Sequence, residues 1–125
     1  TNVRIHGGDA RPVLERLPDA SLERVLVLFP DPWPKARHQK RRLVQAETLA
    51  EFVRVLKPGG RFRFVTDWKD YASWTLERAL KEPGLRWLAD AADDWRIPPE
   101  DHVTTRYEEK KLGDTAPIFL EFERV

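Results

Sequence analysis

The chain contains no cysteine, which excludes disulfide staples, thiolate nucleophiles and cysteine-ligated zinc together. It contains no methionine either, and it begins at Thr1. Translated chains start with Met, so the sequence reads as a piece of a longer protein, with removal of a single initiator Met as the other reading. Histidine is scarce: His6, His38 and His102 are widely spaced and make no histidine-rich metal site. The six glycines, Gly7, Gly8, Gly59, Gly60, Gly84 and Gly113, include no Gly-x-Gly. A glycine-rich nucleotide loop is therefore missing. Long apolar runs are missing too. The run Val25–Phe29 has five residues, against the roughly 20 that a membrane-spanning helix needs. With no secretory or lipidation signal, the expected compartment is the cytoplasm and no membrane partner is expected.

What remains is 125 residues, 41% hydrophobic and 34% charged, the composition of a single globular domain over residues 1–125. A chain of this length buries roughly two-thirds of its unfolded surface. The net charge of +1 predicts nothing about partners, but local charge does. Lys35, Arg37, Lys40, Arg41 and Arg42 fall close together, and no acid lies between Asp31 and Glu47.

Patterning gives an alternation of strands and helices. Val3–His6 alternates and runs into Gly7-Gly8-Asp9, a predicted strand and turn. Val13, Leu14 and Leu17 have helical spacing within Ala10–Leu17, and Pro18-Asp19 stops that helix. Val25–Phe29 reads as a strand covered on both faces. Pro30-Asp31-Pro32-Trp33-Pro34 follows, and three prolines in five residues demand a loop. A helix over about 45–56 has its apolar stripe at Leu49, Phe52, Val53 and Leu56. Lys57-Pro58-Gly59-Gly60 ends it. Arg61–Val65 alternates as a strand, and Thr66-Asp67 reads as the cap of a helix over about 69–81. Leu85–Leu88 and Ile118–Glu123 are further strands, with mostly loop over 89–107. This order predicts an α/β fold with a mostly parallel sheet and an antiparallel strand at one edge. Ligands of such sheets bind beyond the carboxyl ends of the strands. Asp9, Asp31 and Asp67 each follow a predicted strand, so three carboxylates are expected along one rim.

The proline loop offers a carboxylate and an indole, which suits a planar base: Trp33 stacks while Asp31 accepts hydrogen bonds. Taken alone it is equally a turn with an aspartate cap and a core tryptophan. The basic block suits phosphates and salt-sensitive binding, and taken alone is equally a solvated surface.

The segment Phe29-Pro30-Asp31-Pro32-Trp33-Pro34-Lys35-Ala36-Arg37-His38-Gln39-Lys40-Arg41-Arg42-Leu43-Val44 resembles the signature of tRNA (guanine-N7)-methyltransferases. Gly8-Asp9-Ala10, Leu56-Lys57-Pro58-Gly59-Gly60, Thr66-Asp67-Trp68 and Thr105-Arg106-Tyr107-Glu108 resemble further motifs of that family, in the same order. The resemblance implies a Rossmann-like class I methyltransferase fold that uses S-adenosyl-L-methionine, with tRNA as partner and a guanine of the variable loop as target. It implies that Asp31 is the active-site residue and, with Asp9, contacts the cofactor. It further implies that Lys35, Asp67, Thr105 and Glu108 bind the substrate, and that Arg37, His38, Gln39, Lys40, Arg41 and Arg42 contact RNA. No metal is implied.

The chemistry is consistent with such a site. Guanine N7 carries an in-plane lone pair and a sulfonium methyl is already activated, so no strong base is required. Positioning and exclusion of water supply the catalysis. Methylation leaves positive charge on the purine, which neighbouring carboxylates stabilise. N7 must stay free, so recognition falls on the N1–H and N2–H donors, which want acceptors such as Asp31, Asp67 and Glu108.

The chain departs from the family where the glycine-rich loop of the first strand and the acid ending the second would stand. Two first strands with their helices are expected to be missing, and this piece alone is expected to bind S-adenosylmethionine poorly and to be inactive. Lys110–Asp114 matches only loosely. Two other readings remain. Asp31-Pro32-Trp33 is close to the Asp-Pro-Pro-aromatic motif of amino-methyltransferases, and a noncatalytic RNA-binding module would use Trp33 and the basic block without cofactor.

Overall fold

The computed structural model of the protein describes residues 2–125. Four strands form one sheet: β1 (Leu22–Leu28), β2 (Leu56–Thr66), β3 (Leu85–Trp87) and β4 (Ile118–Arg124), in the order β1-β2-β4-β3. Strands β1 and β2 are parallel, with Leu28 opposite Val65. Strand β4 runs antiparallel to both β2 and β3. The antiparallel return therefore lies at the expected end of the sheet but one place in from its edge, because β3 takes the edge.

Helices α1 (Arg11–Arg16), α2 (Ala46–Val55) and α3 (Lys69–Lys81) fall close to the predicted segments, joined by the short α4 (Asp93–Arg96) and α5 (Arg106–Glu109). Alternation along β2 sends Phe62 and Phe64 to one face and Arg61 and Arg63 to the other. Phe62 packs on Phe52 of α2 at 5.0 Å and on Phe122 of β4 at 5.7 Å. Phe64 meets Tyr71 of α3 at 5.0 Å. Phe62, Phe64, Phe122 and Leu49 are fully buried; each such side chain contributes about 1.5–3 kcal/mol relative to exposure.

Several expectations change. Val3–His6 is exposed and pairs with no strand among the described residues, and an alternating segment becomes a strand only through a neighbour's ladder. The apolar run of β1 is not covered on both faces. Val27 is buried, but Leu26 and Leu28, on the opposite face of the strand, are 49% and 43% exposed. Lys57–Gly60 belongs to β2 as an irregularity: register passes from Leu22–Leu56 to Arg24–Arg61, and Gly59 takes φ +82° there. Asp67 does not cap α3. Trp68 holds the cap position, and the Lys69 amide donates to Asp114 instead, at 2.9 Å. Among the described residues no helix is long and apolar enough to cross a membrane.

Candidate active site

Because β1 and β2 are parallel neighbours, their carboxyl ends open side by side. Asp31 stands in the loop after β1, and Asp67 directly follows β2. The loop is bracketed by two non-glycine residues in the left-handed region, Phe29 (φ 50°) and Trp33 (φ 42°). Such residues cost about 1–3 kcal/mol each and persist where their surroundings over-determine them. Here the Phe29 amide donates to the Val65 carbonyl at 2.8 Å, and Arg42 donates to the Pro32 carbonyl at 2.8 Å. Asp31 itself is exposed.

Asp67 is 3% exposed, and its Oδ1 has no hydrogen-bond partner in the protein. An unpaired buried acceptor costs about 1–3 kcal/mol, more when charged, so this oxygen favours a donor from outside. The 110–117 segment is wrapped tightly round it. The amides of Asp114 and Thr115 donate to the Asp67 carbonyl at 2.9 and 3.1 Å. A β-carbon at Gly113 would collide with the Asp67 backbone and carboxyl group, so glycine is required at that close approach.

Asp67 and Glu108 line the same cavity of about 610 Å³, with Glu109, Lys111, Thr104, Gly113 and Thr115–Pro117. Phe29 reaches Tyr107 of α5 at 5.1 Å, tying the β1 loop to the helix that carries Glu108. Burial first, then the charge of Asp67 and more weakly that of Asp31, push the Tyr107 phenol up. Thr105 does not line the cavity. It caps α5: its hydroxyl accepts from the Glu108 amide at 3.1 Å. Thr-x-x-Glu is the sequence form of a capping box, but here the Glu108 carboxylate turns instead to His102 Nε2 at 2.7 Å. A neighbouring cavity of about 650 Å³ is lined by Leu76, Trp87, Trp95 and Ile118 and holds no carboxylate, so it lacks the acceptors of the first.

The other candidates separate. Asp9 does not follow a formed strand. Arg11 donates to its carboxylate at 2.9–3.1 Å and holds it below the usual carboxylate range. Lys35 is exposed and leads into a 3-10 helix, Ala36–Arg41. Arg37, Lys40 and Arg41 are exposed, while His38 and Gln39 are half-buried. His38 and Arg41 lean on the Trp33 ring at 5.8 and 5.2 Å. Arg42 departs from the RNA-contacting expectation. It is 1% exposed, its guanidinium lies over Tyr71 and Trp74 at 4.7 and 4.8 Å, and it donates to Asp70 at 2.6 Å. Its charge braces the proline loop against α3. His102, Gly113 and Asp114 were not among the expected site residues. A glycine in an irregular stretch is the one signal that pointed toward Gly113.

Comparison with known proteins bears on the family and the fold. Residues 1–120 match the family described as "Putative methyltransferase". The chain is 64% identical over 124 residues to the tRNA (guanine-N(7)-)-methyltransferase of Caulobacter sp. (strain K31), covering 99% of this chain and 54% of that protein. It is 54% identical over 121 residues to the enzyme of the same name from Hyphomonas neptunium, covering 97% and 55%. The chain thus spans about half the length of the curated relatives it matches. Among solved structures, one from Thermus thermophilus, described as a "Putative DNA Modification Methylase" complexed with S-adenosyl-L-methionine, aligns with TM-score 0.54 at 20% identity. That alignment covers 94% of this chain and 51% of that one. An aminoglycoside resistance methyltransferase aligns with TM-score 0.50 at 18% identity, covering 90% and 58%. These structural likenesses concern the fold. With its α/β sheet, its carboxylate-lined rim and a match over nearly its whole length, the chain belongs to this methyltransferase family.

Proposed function

We propose that the full-length protein transfers a methyl group from S-adenosyl-L-methionine to N7 of a guanine in tRNA. The observation that carries this reading is Asp67: a buried carboxylate with an unpaired oxygen, sharing a rim cavity with Glu108. Two acceptors in one cavity suit the N1–H and N2–H donors of guanine and leave N7 free. The names of the relatives, at up to 64% identity, supply the same substrate.

S-adenosyl-L-methionine, when bound, supplies the activated methyl. An exposed carboxylate at the open end of β1 fits a cationic group, so Asp31 is the residue of this chain that would hold it. Asp9 serves there only by exchanging Arg11 for the cofactor. Positive charge develops on the purine during transfer, and Asp31 as a preorganised carboxylate beside it would lower the barrier. Asp67 and Glu108 fix the base, and the strained proline loop holds Asp31 and Trp33 in register with it. Lys35, Arg37, Lys40 and Arg41, with His38 and Gln39 beside them, face the phosphates.

The test is the full-length protein with unmodified tRNA and radiolabelled S-adenosylmethionine, beside Asp31→Ala. The expected outcome is label recovered as N7-methylguanosine, falling by about 100-fold or more in the variant. Tight tRNA binding with no label would leave an RNA-binding protein on a methyltransferase scaffold.

A further inference from the structure

The Glu108 carboxylate is not placed by its own helix. In a capping box the glutamate reaches back to the amide of the cap residue, yet here it is drawn away to His102. The two side chains are only 5% and 10% exposed, at 2.7 Å. An ionised carboxylate only accepts, so Nε2 carries the proton and donates. The imidazole has its own supports. Its ring stands edge-on to Phe119 at 4.8 Å, and Phe119 is a buried residue of β4. The His102 amide donates to the Pro99 carbonyl at 3.0 Å. The preceding residue, Asp101, is clamped by Arg24 of β1 at 3.0 Å and by the buried Arg63 of β2 at 2.8 Å. The sheet thus fixes the loop, the loop fixes the imidazole, and the imidazole fixes one oxygen of Glu108.

We propose that His102 is a positioning residue for base recognition: it holds Oε1 of Glu108 so that Oε2 is presented to the Watson–Crick edge of the target guanine. The inference rests on the proposed function, since it assigns Glu108 to that edge. A carboxylate released from His102 would swing back toward the cap amide or into solvent, and the acceptor would be lost without loss of the fold.

The experiment uses the full-length protein with His102→Leu, which removes the donor, and His102→Gln, whose amide nitrogen stands near the place of Nε2. Each is assayed on tRNA carrying guanosine or inosine at the accepting position, because inosine lacks the 2-amino donor. The expected result is a fall in kcat/KM of about 10- to 100-fold for His102→Leu on guanosine, the worth of a hydrogen bond to a charged group. His102→Gln should recover most of that loss. The preference for guanosine over inosine should shrink in His102→Leu and return in His102→Gln. A merely structural histidine would lower both substrates equally, and that result overturns the assignment. So does full activity in His102→Leu, or equal loss in the two variants. Failure of the wild-type protein to make N7-methylguanosine removes the proposed function and this role with it. A normal wild type beside an undisturbed His102→Leu removes this role alone.

Discussion

Arg42 and Arg41 are adjacent in sequence and opposite in duty. Arg41 is exposed and lies over Trp33, whereas Arg42 is buried between Tyr71, Trp74 and the Pro32 carbonyl. Replacing Arg42 by Met orphans that carbonyl and removes two ring contacts. Asp70, 64% exposed, returns its charge to water at little cost. The expected loss is about 2–4 kcal/mol in a urea unfolding titration. Arg41→Ala should stay within about 0.5 kcal/mol of wild type. In tRNA binding across salt concentrations it should lower the slope of log K against log salt by about 0.7–0.9. Equal stability effects for the two arginines would contradict the assignment. Composition could not separate them, because a run of cations has no internal signal for which one is buried. The residue scale is likewise where the cap reading of Asp67 fails. Thr66-Asp67 before a helix looks like a cap, but Asp114, distant in sequence, takes that duty and leaves the Asp67 carboxylate to the cavity.

At the scale of elements, the segment between β3 and β4 was least legible. It is polar and carries Pro98-Pro99, so periodicity gives it nothing. Its structure comes from long-range contacts: ion pairs of Asp101 with Arg24 and Arg63, the Phe29–Tyr107 ring contact and the bonds to the Asp67 carbonyl. Hydrogen bonding to Arg63, and next to Arg24, lowers the Asp101 carboxyl from its usual 3.8 to about 2. A depressed carboxyl contributes stability above its unfolded pKa and loses it as pH falls through its folded pKa. The contribution of Asp101 is therefore complete above pH 3.8 and gone below about 2. Unfolding midpoints of wild type and Asp101→Asn, followed from neutral pH downward, should converge across that window. A gap that ignores pH would show that Asp101 acts by packing alone. The longer helices were legible for the opposite reason. The stripe of α2 at Leu49 and Phe52 is a local signal that tertiary contacts did not override, whereas the expected turn at Lys57–Gly60 was absorbed into β2 by pairing with β1.

Over the whole molecule, strand alternation was enough to place Asp31 and Asp67 on one rim, because parallel neighbours open their carboxyl ends together. It misplaced Asp9 because pairing, not pattern, decides whether Val3–His6 is a strand. It also mistook the covering of β1, whose Leu26 and Leu28 remain exposed. What the rim does chemically rests on which atom of the base it leaves free. The most direct measurement gives the full-length protein tRNA with 7-deazaguanosine at the accepting position, where carbon replaces N7 and the N1–H and N2–H donors are intact. The account expects binding close to that of unmodified tRNA and no methyl transfer. Methylation of the 7-deaza substrate would contradict it, and would move the target to an exocyclic amine.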